Sequence, residues 1–95
     1  MNLDFTISHH ARQQLQRRFP NTVLPPRDLE NLRVPRSSIA LGCIPKEESS
    51  FYLIPGLPLV AVVKNDVVVT FEPLDYAIQN VSYRGFLFSD GKDAA

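Results

Sequence analysis

The chain has 95 residues, 44% hydrophobic and 21% charged, which fits one globular domain and excludes intrinsic disorder. Ten basic residues balance ten acidic ones, which excludes a general nucleic-acid coat protein, because phosphate neutralisation drives that kind of binding. Cys43 is the single cysteine and permits no internal disulfide. The longest apolar run, Leu57 to Val63, is far shorter than the ~20 residues of a membrane span. Met1-Asn2-Leu3-Asp4 does not resemble a signal peptide, so a soluble, cytoplasmic protein with no membrane association is expected.

The charge is unevenly spread. The first 36 residues hold Arg12, Arg17, Arg18, Arg27, Arg33 and Arg36 against Asp4, Asp28 and Glu30, and most acids come later.

Leu3, Phe5 and Ile7 alternate with polar residues, as in a short strand or extended arm. Ser8 then suits the N-cap of a helix running to Arg18 and stopped by Pro20. At about 100° per residue, Ala11, Leu15 and Phe19 form its apolar stripe. His10, Gln14, Arg17 and Arg18 fall beside that stripe, and His9, Gln13 and Gln16 fall on the far side. The spacing therefore predicts that His10 borders the core and lines whatever cleft the domain has. A second helix is expected from Pro26 through Leu29 and Leu32, ending before Pro35.

From residue 38 the pattern changes to strands: Ile39 to Ile44, Ser50 to Ile54, Leu59 to Val63 and Val67 to Phe71. Lys64-Asn65-Asp66 reads as the hairpin connection of the last two, whose near-continuous apolar character predicts strands covered on both faces. Leu74 to Asn80 fits one or two helical turns, and Val81 to Phe88 equally fits a last strand broken by Gly85. Residues 89–95 are small and polar, as in a tail. The reading is a single α+β domain over 1–88, with two N-terminal helices packed on a mostly antiparallel four- to five-stranded sheet.

One histidine beside two guanidinium groups is an arrangement suited to phosphate-ester chemistry. An imidazole exchanges protons near neutral pH, and arginines bind phosphate in a fixed fork. The plainer alternatives are a helix histidine bonded to the sheet and a basic last turn that complements the helix dipole. Tyr83 and Arg84 form another polar-aromatic pair, able to stack on a base or pair with phosphate, or to serve as a partner contact. His9 and His10 point to different helix faces, and no Cys-x-x-Cys or His-x-x-x-His accompanies them, so neither a metal nor a cofactor is expected.

The opening Ser8-His9-His10-Ala11, with Arg18 eight residues after His10, and the later Val68-Val69-Thr70-Phe71, resembles the small ribonuclease-toxin superfamily. That superfamily includes RelE-like and BrnT-like toxins and the nuclease domains of colicins and contact-dependent inhibition toxins. In its His-Ala subset the opening is typically Ser-x-His-Ala-x-x-Arg-x-x-x-Arg. Gln14 stands where the first arginine would be, and Arg17 lies close enough on the helix to substitute. The resemblance implies metal-independent RNA cleavage, with His10 as general base, Arg18 and Arg17 on the scissile phosphate, and Thr70 orienting it. Arg12, Gln14, Tyr83 and Arg84 would contact substrate. It also implies a cognate antitoxin or immunity protein. The alternative from another class is a non-catalytic protein-binding module, such as a phage- or plasmid-encoded inhibitor of a host enzyme, whose partner is a host target protein.

Overall fold

A computed structural model describes residues 3–18 and 31–88. It has a six-stranded mixed sheet in the order β1-β5-β4-β3-β2-β6, with helices α1 (His9–Arg18) and α2 (Leu74–Arg84). The strands are β1 (Thr6–Ile7), β2 (Ile39–Ile44), β3 (Ser49–Leu53), β4 (Leu59–Lys64), β5 (Val67–Pro73) and β6 (Phe86–Leu87).

The α+β class and the antiparallel β2-β3-β4-β5 meander match the sequence reading. Two features correct it. The sheet has six strands, because β1 adds in parallel to β5 through Thr6↔Val67 and Ile7↔Val68, and β6 adds to β2. The two described helices are not both N-terminal: α2 follows the meander and extends through Val81 to Arg84, into the stretch whose sequence equally fits a strand. The expected second N-terminal helix lies largely outside the described residues, and its last stretch, Asn31 to Val34, is not helical. Phe19, Pro20 and the expected tail 89–95 also lie outside them.

β4 explains the layering. Leu59, Val60, Ala61, Val62 and Val63 are all buried, so both faces of the strand need cover. Leu59, Ala61 and Val63 join Ala11 and Leu15 of α1 in one apolar cluster. Val60 and Val62 join Ala77 and Val81 of α2 in the other. Each helix thus seals one face of a shared sheet.

Local chemistry sets the register. Asn65 and Asp66, at φ 51° and 66°, occupy the two left-handed positions that a tight β4–β5 hairpin needs, and Lys64 faces Val67 across it. In β5, Val62 opposes Thr70 while Val63 opposes Val68, so Val69 is an extra, bulged residue. At the other edge, a Cβ on Gly85 would collide with the Cys43 carbonyl, and one on Gly42 with the Phe86 carbonyl. Gly85 has an extended φ of −152°, open to any residue, so it is the close approach of β6 to β2 that requires glycine there.

Candidate functional site around the start of α1

The chain leaves β1 at Ile7 and turns directly into α1. The Ser8 N–H donates to the Val68 carbonyl (3.0 Å), fixing the turn to β5. The Ser8 hydroxyl accepts from the Ala11 N–H (3.0 Å), and its carbonyl accepts from the Arg12 N–H (3.1 Å), so Ser8 caps the helix as its residue type predicts. Ala11 and Leu15 then bury against Val68 and Phe71. The Ser-His-His-Ala opening and the Val-Val-Thr-Phe strand, distant in sequence, become neighbours.

His10 is exposed and does not border the core; Ala11 and Leu15 occupy that side alone among the described residues. The apolar stripe is narrower than expected, which leaves the position beside it open to solvent. His9 is also exposed. His10, Gln14 and Arg17 follow one another at i, i+4 and i+7 along a single helical row, with Gln14 half-buried and Arg17 exposed. Arg12 is half-buried, and Arg18 ends the helix. None of the ten residues of α1 is acidic.

Thr70 lies on β5 two residues beyond Val68, at the same edge of the sheet as the start of α1. Directly opposed residues project to one face, and Thr70 opposes Val62 of the α2-side cluster. Its hydroxyl therefore belongs to the sheet face opposite α1. Tyr83 and Arg84 are not brought to this site. They end α2 beside β2 and β6, three to four strand spacings from β5, or about 15–20 Å at the usual inter-strand distance. Arg84 forms an ion pair with Glu47 and donates to Asn80 Oδ1 (3.4 Å), and Tyr83 is exposed.

The joint between Ser8 and Val68 has no signal in the sequence, because it is made by two backbone groups. A shallow groove of about 490 Å³, floored by Leu32 and Ile54 and rimmed by Arg33, contains none of the expected residues. Among the described residues, no three His, Cys, Asp or Glu side chains gather as a metal set would, and no helix is long and apolar enough to cross a membrane.

No protein-family model matches the chain, and comparisons with curated proteins and with solved structures likewise find no match.

Proposed function

We propose that this domain is a metal-independent ribonuclease of the toxin type, working at the start of α1. The observation that carries this reading is the Ser8–Val68 hydrogen bond, which joins the two segments on which the resemblance rests. His10 takes the proton of the ribose 2′-hydroxyl as the 2′-oxygen attacks phosphorus. The 5′-oxygen leaves and takes a proton from water, so the product ends in a 2′,3′-cyclic phosphate. Arg17 and Arg18 hold the phosphate and its extra charge in the transition state. Gln14, between His10 and Arg17 on the row, and Arg12 serve the substrate strand. An exposed row suits this role, since an RNA strand is too large to enter a narrow cavity. Thr70, Tyr83 and Arg84 have no part in this version of the site. The substrate is cellular RNA, the setting is the cytoplasm, and the natural partner is a cognate antitoxin or immunity protein.

The test mixes purified protein with total RNA and with ribosome-bound mRNA in the presence of EDTA. Cleavage with cyclic-phosphate ends is expected. His10→Ala should lower the rate by about 10²–10⁴-fold, the usual worth of a general base. Its melting temperature should not change, because the side chain is exposed. Intact RNA in both mixtures ends the proposal.

The second reading is the non-catalytic protein-binding module. The observation in its favour is the apolar character of the opposite sheet edge, where Phe86, Leu87 and Phe88 are all exposed.

A further inference from the structure

Five of the eight large hydrophobic side chains exposed among the described residues gather at that edge: Ile39, Tyr83, Phe86, Leu87 and Phe88. Their exposure runs from 45% at Leu87 to 93% at Tyr83, far above what scattered surface apolar residues require. The edge is not loosely attached. Gly42 and Gly85 allow β6 to approach β2 more closely than any Cβ would permit, and the Phe88 N–H donates to the Leu41 carbonyl at 2.7 Å.

Both faces of the edge are apolar. Leu87 opposes Gly42, whose added Cβ would meet Val81, so Leu87 lies on the α2 side. Phe86 and Phe88, one residue to either side of it, project to the α1 side. The five gathered side chains are uncharged, and the charge on the adjoining turn of α2, Arg84, is paired with Glu47.

We infer that β6 is a homodimer interface, and that its occupant is β6 of a second copy of this chain, antiparallel about a two-fold axis. The backbone favours self-pairing. Because the Phe88 N–H points inward to β2, the N–H and C=O of Leu87 point outward. A strand of two residues offers little more than this one donor and one acceptor. Its own symmetry mate satisfies both reciprocally, Leu87 to Leu87, whereas a longer foreign strand would leave most of its groups unmatched. Apolar side chains meet apolar side chains across the axis with no like charges opposed. The opposite edge of the sheet, β1, is a different strand, so the contact closes at two copies.

Sedimentation of the full chain from micromolar to hundreds of micromolar tests this, combined with amide exchange at Leu87. We expect the mass of two chains at high concentration and a Leu87 amide whose protection is lost on dilution. Phe86→Lys and Tyr83→Lys should each raise the dimer dissociation constant at least about tenfold by placing like charges across the axis. Tyr83 is almost fully exposed, so Tyr83→Lys should leave circular dichroism and melting temperature unchanged and keeps the test valid if Phe86→Lys misfolds. A single-chain mass at the highest concentration overturns the inference. So does a dimer indifferent to both variants, or a monomer whose edge residues respond only to a different protein.

Discussion

Ser49 shows how a single residue can work against the fold it belongs to. It begins β3 opposite Ile44, is 2% exposed, and its hydroxyl has no hydrogen-bond partner. An unsatisfied buried hydroxyl costs about 1–3 kcal/mol, and alanine has nearly the same shape without it. Ser49→Ala should therefore stabilise the protein by about 1 kcal/mol or more, read as a higher denaturant midpoint at unchanged m-value. An unchanged or lower midpoint contradicts this account of the site. Exposed ion pairs contribute less. Arg33 and Asp4, at 3.8 Å with the arginine 80% exposed, illustrate contacts whose typical worth is below about 1 kcal/mol.

At the level of elements, the meander was legible because β-branched runs, prolines and the Asn65-Asp66 turn each carry a local signal. The range 39–44 for β2 is the same in sequence and structure, and β3 is displaced by one residue. α2 was only half-legible. Val81, Tyr83, Phe86 and Phe88 favour strands locally, yet Ala77 and Val81 are drawn into a helix because the second face of β4 needs cover. That need was present in the five-residue apolar run of β4, since two helices on one face leave the other open. The spacing Leu74, Ala77, Val81 at i, i+3 and i+7 was the helical signal. The site was legible to the extent of Ser8's capping role and the row His10–Gln14–Arg17. His10's exposure is not legible in the sequence, because helix angle alone does not say how wide the buried stripe is. The placing of Thr70, Tyr83 and Arg84 depended on tertiary geometry: a bulge, and the strand order. An element-scale prediction follows from the glycine contact between β6 and β2. Gly85→Ala should cost about 1–3 kcal/mol by overpacking, and should abolish exchange protection at the Phe88 amide while leaving β3–β5 protected. Retained protection at Phe88 would show that β6 can shift to accept the methyl group.

Across the whole molecule, two apolar clusters lie on opposite faces of one sheet, and β4 belongs to both. Neither cluster can be lost while the other survives, because losing either strips one side of the same strand. Unfolding should thus be a single transition. Tyrosine fluorescence, which samples Tyr52 on the α1 side and Tyr76 and Tyr83 on α2, should coincide with far-ultraviolet circular dichroism along a denaturant titration. Two separated midpoints would show that the faces unfold independently. The Arg36 side chain adds a tie across the sequence. Its guanidinium lies 4.9 Å over the Phe5 ring and donates to Asp66 Oδ1 at 3.1 Å, and Phe5 packs on Tyr52 with ring centroids 4.9 Å apart.

The parallel pairing of β1 with β5 also has a consequence in time. α1 is synthesised before the strand it packs on, which follows about fifty residues later. At a translation rate of about 5–20 residues per second, Ala11 and Leu15 wait several seconds for Val68 and Phe71. Until then the Ser8 N–H has no Val68 carbonyl to bind, and the basic row of α1 has no sheet beneath it. A nascent chain therefore cannot join these two segments until β5 has been synthesised and has left the ribosome.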